Sequence, residues 1–169
     1  MSKRLVVDSS VLIVLSRKGT LEEYLKQRKH EGYEVLIPRA VAKELVDEPR
    51  KLAREILKKS PVLASKITQS VEAINAVIED DSIRVVTVNY RKYSRVIDNV
   101  RKYLSQLEAK PEHAVKKGDP ELIALIVQLY DKFKEEIFVS TDDKGLLRAL
   151  KSFSKRVDYE VLRSPWSRS

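Results

Sequence analysis

The 169-residue chain contains no cysteine and only four glycines, and both shortages exclude familiar kinds of functional site. Without cysteine there is no disulfide, no thiolate nucleophile and no cysteine-bound zinc. The glycines are Gly19, Gly32, Gly118 and Gly145. They form neither a G-x-G-x-x-G fingerprint nor a P-loop, so we expect no dinucleotide or ATP binding by those motifs. The two histidines, His30 and His113, are not accompanied by the residues of a catalytic triad.

Long apolar runs are also missing. No stretch approaches the roughly 20 apolar residues that a membrane-spanning helix needs. Met1-Ser2-Lys3-Arg4 leads directly into an apolar strand, without the hydrophobic segment of a signal peptide. We therefore expect a cytoplasmic protein that has no membrane partner.

Positive charge is in excess over negative charge. Lys and Arg number 33 against 25 Asp and Glu, which gives a formal net charge of +8. A basic protein of this kind suits a polyanionic partner, most often a nucleic acid, although a solvated surface alone would give the same balance. Hydrophobic residues make up 43% of the chain, which favours a globular fold over a disordered one.

Short apolar runs rich in β-branched residues alternate with segments of helical periodicity. Strands are predicted at 4–7, 34–37, 83–88, 137–139 and 159–162. Helices are predicted at 9–16, 20–31, 38–46, 50–59, 61–78, 89–108, 119–133 and 146–150, with Asp47-Glu48-Pro49 breaking the third. The alternation predicts an α/β sandwich around a parallel sheet. We expect a single domain over residues 1–163, with a helical insertion at about 50–80 and a flexible tail at 164–169.

Five acidic residues fall at strand ends or in the first turns of helices. They are Asp8, Glu44, Asp119, Asp142 and Asp143. Because the carboxyl ends of parallel strands share one edge of a sheet, we expect these carboxylates to converge. Unpaired carboxylates that crowd together raise each other's pKa, and a hard divalent cation such as Mg²⁺ or Mn²⁺ relieves the repulsion. Such a cation lowers the pKa of a bound water and stabilises a displaced phosphate oxygen.

Each of these acids also has a purely structural interpretation. Asp8, Asp142 and Asp143 stand where they could cap the following helix or face its positive end. Asp119, before a proline, has the sequence of a strong N-cap, and Glu44 could pair with a basic neighbour on the surface. Two adjacent acids exceed what one helix cap needs, so we expect at least one of the pair at 142 and 143 to have another role.

Four segments that follow one another along the chain carry these acids. They are Val6-Val7-Asp8-Ser9-Ser10, then Ile37-Pro38 with Glu44 in the following helix, then Gly118-Asp119-Pro120-Glu121-Leu122-Ile123-Ala124-Leu125, and finally Val139-Ser140-Thr141-Asp142-Asp143-Lys144-Gly145-Leu146. Together they resemble the PIN domain family of metal-dependent ribonucleases. The resemblance implies a three-layer α/β/α sandwich with a central parallel sheet of four to five strands. It also implies an acidic site that binds Mg²⁺ or Mn²⁺ and cleaves single-stranded RNA internally.

The resemblance also assigns roles to individual residues. The acids that match the family's catalytic and metal-binding positions are Asp8, Glu44, Asp119 and Asp143. Asp142 stands where the family often has Asn or Asp, as a further metal ligand or a support for one. Ser10 and Thr141 match hydroxyl positions that orient the acids, and Glu121 is a further candidate for such a supporting role.

Two basic stretches are candidates for holding the RNA backbone. The first is a helical stripe of Arg50, Arg54 and Lys58, and the second is Arg91 and Lys92 within a tyrosine-containing segment. Ordinary ion pairs along a helix explain the first stripe equally well. For the second stretch we favour a core-facing helix over stacking of bases on its tyrosines.

The resemblance therefore predicts a Mg²⁺- or Mn²⁺-dependent endoribonuclease, in which a metal-activated water attacks the phosphodiester. The alternatives are a catalytically inactive RNA- or protein-binding module on the same scaffold, and the toxin of a toxin–antitoxin pair. The helices at 50–80 and the long basic region at 89–118 depart from the family's compact toxins. They bring the chain closer to archaeal stand-alone or ribosomal-RNA-processing members. Besides RNA, the candidate partners are a second copy of the chain, an antitoxin and a ribosomal component.

Overall fold

A computed structural model describes residues 3–153 and 159–162 of the chain. Five parallel strands form one sheet in the order β3-β2-β1-β4-β5. The strands are β1 (Lys3–Val7), β2 (Tyr33–Pro38), β3 (Arg84–Val86), β4 (Ile137–Ser140) and β5 (Tyr159–Leu162). The predicted parallel sheet is confirmed, and the residues predicted as a tail at 164–169 lie outside the described ranges.

Helices connect the strands and cover both faces of the sheet. They are α1 (Ser9–Lys18), α2 (Leu21–His30), α3 (Arg39–Ala42), α4 (Glu48–Ile56), α5 (Pro61–Glu79), α6 (Tyr90–Leu107), α7 (Gly118–Phe133) and α8 (Lys144–Phe153). A short 3₁₀ helix, Glu112–Ala114, lies in the connection that leads to α7. None of the helices in the described ranges is both long and apolar enough to cross a membrane.

The alternation of strand side chains divides the core into two layers. Val6, Leu36 and Val139 belong to the layer that α6, α7 and α8 supply. Leu5 and Val35 point to the opposite face, where they pack with α1, α2 and α5. Because successive residues of a strand face opposite sides of a sheet, each strand contributes to both layers. The arrangement is the three-layer α/β/α sandwich expected from the sequence.

Strand β3 is shorter than predicted. It comprises three residues instead of 83–88, and within the residues the structure describes it pairs only with β2. The last residue of β3, Val86, is already opposite Pro38, where β2 ends. No neighbouring backbone is left to pair with the residues that follow, so the apolar pattern overstates the length of the strand.

The predicted helix break at Asp47-Glu48-Pro49 is wrong. Helical backbone continues from α3 through a π-helical turn, Lys43–Asp47, directly into α4. A proline inside a regular α-helix clashes with the carbonyl four residues before it. In the π turn just before Pro49, backbone hydrogen bonds span five residues instead of four, and Pro49 lies in the first turn of α4. The proline therefore follows a slipped register instead of ending the helix.

Helix α6 runs from the last turns of α7 to the start of α8. Near its start, the backbone N–H of Asn89 donates to Gln128 at 2.7 Å, and the Tyr93 hydroxyl donates to Asp131 at 2.7 Å. Both partners belong to the last turns of α7, close to the residues that lead into β4. The other end of α6 lies beside the start of α8, where the Glu108 carboxylate is close to Gly145. The end of α6 is thus beside the start of α8, next to the acids that follow β4, and its start is beside the last turns of α7.

Candidate active site

Asp8 lies at the carboxyl end of β1, where hydroxyl groups hold its side chain. The register pairs Val7 with Ser140, and the Asp8 backbone N–H donates to the Ser140 carbonyl at 3.0 Å. The side chain is 4% exposed. Its Oδ2 accepts hydrogen bonds from Ser10 Oγ at 2.9 Å and Thr141 Oγ1 at 2.8 Å. Asp8 occupies the N-cap position of α1 but makes no side-chain capping bond there, so capping does not explain its carboxylate.

Thr141 links Asp8 to the acids that follow β4. The Thr141 Oγ1 donates to Asp8 and accepts from the backbone N–H of Asp143 at 3.1 Å. One oxygen of Asp143 accepts from the Leu146 N–H at 3.0 Å and caps α8. Asp142 is exposed beside it. Of the two adjacent acids, Asp143 is therefore both the helix cap and the one turned toward the site.

Glu44 projects from the π turn onto the start of α7. Its Oε1 accepts a 2.8 Å hydrogen bond from the backbone N–H of Gly118. A Cβ atom at position 118 would stand 2.8 Å from both carboxylate oxygens, so any larger residue there would force the Glu44 carboxylate to move. Burial raises the pKa of Glu44, while the Gly118 bond and the positive charge of Lys116 oppose the shift. Glu44 is thus held by α7 instead of by a surface base.

Asp119 is the electrostatic centre of the group. Helix α7 begins one residue before it, and the N-cap residue of the helix is Lys117, so the N-cap role considered for Asp119 is not observed. Burial, followed by the charges of Asp8, Asp143 and Glu44, raises the pKa of Asp119 to about 7. Three carboxylates from separate elements therefore act on a fourth, as expected if the strand ends converge.

Glu121 has a different task from the other acids. Its carboxylate is 6% exposed and accepts a 3.0 Å hydrogen bond from the backbone N–H of Ala40, at the start of α3. Burial raises its pKa, and the Ala40 bond and Lys43 oppose the shift. Pro38, at the N-cap position of α3, makes no side-chain capping bond. Glu121 therefore anchors the helical segment that leads to Glu44.

The donor chemistry of the cluster fits a hard divalent cation. Every candidate ligand is a carboxylate oxygen, which Mg²⁺ and Mn²⁺ prefer, and burial, followed by the charges of the neighbouring carboxylates, already raises the pKa of Asp119. Within residues 3–153 and 159–162, however, no three acidic or histidine side chains stand in a ready-made coordinating arrangement. The acids share an electrostatic environment and would need to move closer together to surround one ion.

None of the described contacts joins the residues predicted to hold RNA to the acidic cluster. Arg50 forms an ion pair with Glu72 at 3.2 Å, while Arg54 and Lys58 are exposed on and just beyond α4. Arg91 and Lys92 are exposed near the start of α6. Because α6 rises by 1.5 Å per residue, roughly 24 Å of helix separates them from the end that approaches the site.

Sequence reasoning assigned no role to two residues that shape the site. They are Gly118, which receives the Glu44 carboxylate, and Lys116, whose charge acts on both Glu44 and Asp119. A glycine directly before a candidate acid, in a chain with only four glycines, was the available signal for the first. For Lys116 there was none, because the chain has 33 basic residues.

Comparison with known proteins gives one family match. The family model of the halobacterial PIN domain matches residues 1–162 of the chain. This range contains all four acids of the cluster, the two hydroxyls on Asp8 and the five strands. No curated protein matches the chain significantly.

Proposed function

The chain belongs to the PIN domain family, whose members are in general nucleases, and we propose that it is a Mg²⁺- or Mn²⁺-dependent endoribonuclease. The observation that supports this most directly is that Asp8, Glu44 and Asp143 come close enough to Asp119 to act on it. Burial and their charges raise the pKa of Asp119 to about 7. Holding four carboxylates close together destabilises the folded state unless they bind a cation. A fold alone would not require it.

In this proposal the acids bind the cation, and the residues around them hold the acids in position. Asp8, Glu44, Asp119 and Asp143 would hold the cation, with Asp142 at the margin of the site. The bound cation would supply an acidified water and stabilise negative charge on the phosphate. The remaining contacts orient these ligands, because the hydroxyls of Ser10 and Thr141 fix Asp8 and the Gly118 N–H fixes Glu44. No side-chain nucleophile is required.

The test is cleavage of single-stranded RNA with Mn²⁺ or Mg²⁺, with a chelator as the blank. Asp8→Asn should reduce the cleavage rate at least about 100-fold, because it removes a charge aimed at the reacting centre. Asn keeps an oxygen for the Ser10 and Thr141 hydroxyls, so the fold should persist, as circular dichroism would show. Asp142→Asn removes the same charge from an exposed neighbour and should retain most of the activity.

Two results would decide against this proposal. Wild-type cleavage by Asp8→Asn would separate the activity from the acidic cluster. Tight RNA binding by the wild-type chain, without cleavage in either metal, would favour a catalytically inactive binding module.

A protein partner at the site is the second candidate function. An apolar groove of about 910 Å³ lies between α1, the π turn and α5, and Glu44 is on its rim. Leu52 and Leu63, which line it, are 48% and 50% exposed. A groove of this kind suits an apolar segment of a second copy or of an antitoxin. Light scattering of the purified chain over a concentration series would show a dimer in the first case and a monomer in the second.

A further inference from the structure

The outer face of α8 carries three basic side chains in a row. Lys144, Arg148 and Lys151 are spaced at i, i+4 and i+7, so they lie on one side of the helix. All three are exposed, while Leu146 and Leu150 on the opposite side are buried in the core. The segment Lys144–Phe153 contains no acidic residue. Helix α8 therefore presents a continuous positive stripe to solvent.

This stripe is not neutralised by the rest of the described chain. Other basic residues have carboxylate partners, such as Arg50 with Glu72 at 3.2 Å and Arg101 with Asp98 at 3.5 Å. Among residues 3–153, whose side chains the structure describes, no ion pair within 4.0 Å involves the three basic residues of α8. Within residues 3–153, these three charges therefore face solvent without a carboxylate partner.

The stripe also begins at the acidic cluster. Lys144 follows Asp143 directly, and the Asp143 carboxylate caps the same helix. Seven residues of rise from Lys144 to Lys151 give a stripe of roughly 10 Å that leads away from the acids. The stripes predicted from sequence lack this combination, since Arg50 is paired with Glu72 and Arg91 is near the far end of α6.

We propose that Lys144, Arg148 and Lys151 form a phosphate-binding track that holds single-stranded RNA beside the acidic site and guides it away from the point of cleavage. The proposal rests on the nuclease function proposed above. A cluster of carboxylates repels a polyanion, so a substrate strand needs positive charge next to the site. Neighbours at i and i+4 are 5–6 Å apart, a spacing that successive phosphates of an extended strand can meet.

Salt-dependent binding tests the track without requiring catalysis. Binding of a fluorescein-labelled oligouridine is measured by fluorescence anisotropy in a chelating buffer over a range of NaCl concentrations. Each phosphate contact to a single strand contributes about 0.7 to the slope of log K against log salt. The triple variant Lys144→Gln/Arg148→Gln/Lys151→Gln should therefore lose about 2 from this slope. It should bind about 100-fold more weakly at 0.1 M salt.

A matched variant controls for net charge. Arg91→Gln/Lys92→Gln/Arg95→Gln also removes three exposed positive charges, from the end of α6 remote from the acids. It should leave the slope close to that of the wild-type chain. An unchanged salt slope in the α8 variant, or an equal loss of slope in both variants, would overturn the track. So would a larger loss of affinity for duplex RNA than for the single strand.

The outcome is separable from that of the proposed function. If the α8 variant binds normally while the wild-type chain cleaves RNA, the track is refuted and the nuclease stands. If the slope falls as expected while no metal supports cleavage, the track stands and the nuclease is refuted.

Discussion

Replacing Gly118 by alanine tests whether the Glu44 carboxylate must rest on the start of α7. The added Cβ would stand 2.8 Å from both carboxylate oxygens and 3.0 Å from the Cδ. Ordinary contact begins at 3.4 Å, so the carboxylate must retreat by about 0.6 Å or rotate away. A retreat of this size lengthens the 2.8 Å hydrogen bond from the Gly118 N–H to as much as about 3.4 Å, past the usual range, and a rotation breaks it.

The expected effect of Gly118→Ala differs between activity and stability. A hydrogen bond to a charged group contributes about 1.5–3 kcal/mol, and alanine regains about 1 kcal/mol over glycine within a helix. We therefore expect the free energy of unfolding to fall by no more than about 2 kcal/mol. Displacing a reacting group by about 1 Å can cost about 100-fold in rate, so cleavage should fall by about 10- to 100-fold.

The matched control is Gly32→Ala. Gly32 has φ +90° and no neighbour within 4 Å of an added Cβ, so alanine is strained there by about 1–2 kcal/mol without touching the site. Urea unfolding should show comparable losses of stability for the two variants, while RNA cleavage should fall for Gly118→Ala and stay near the wild-type rate for Gly32→Ala. Full activity of Gly118→Ala would refute the argument. So would a stability cost that persists in a Glu44→Ala background, because the clash needs the Glu44 side chain.

Two further predictions concern Asp119 and Glu121. Asp119→Asn should make the metal-free protein more stable at pH 8 and flatten its stability between pH 4 and 7, measured by urea unfolding in a chelating buffer. If the free energy of unfolding varied with pH in the same way in the variant and the wild type, this would contradict the prediction. Glu121→Ala should lower the free energy of unfolding by about 1–2 kcal/mol, because the N–H of Ala40 loses its acceptor. It should also slow cleavage, while Glu121→Gln, which keeps an acceptor oxygen, should lose less of both; equal losses would argue against the anchoring role.

The sign of the Asp119 effect follows from proton linkage. Its pKa is about 7 in the folded chain and 3.8 as a model value, so between these values the folded state binds more protons than the unfolded state. The free energy of unfolding therefore falls as the pH rises through this window, and the whole penalty is present above pH 7. One pKa unit corresponds to 1.36 kcal/mol, which makes the penalty about 4 kcal/mol.

The sequence was most informative where one local pattern had one structural solution. Strand β1 ends at Val7, as its apolar run predicts, and Asp8 follows at the sheet edge. Ser10 and Thr141 were predicted to support the acids, and both donate to Asp8. These contacts depend on residues near strand ends, and parallel pairing brings such residues together.

Sequence reasoning was least informative where distant elements meet. Glu121 was grouped with the hydroxyls that support the acids, but it anchors α3, because the packing of α7 against α3 sets its partner. Arg91 was grouped with the RNA contacts from its basic, tyrosine-containing segment, but it lies at the end of α6 that points away from the acids. The path of a helix across a sheet depends on tertiary packing, which periodicity does not encode.

The π turn at Lys43–Asp47 has a consequence for insertions and deletions in this segment. Each residue of an α-helix advances the side chains by about 100° around the axis, so a one-residue slip turns one half of the helix relative to the other. The first half packs on α7 and the second on α5. Deleting one residue here would restore a regular α-helix but rotate its second half relative to its first. Only one half could then keep its packing contacts, with α7 or with α5.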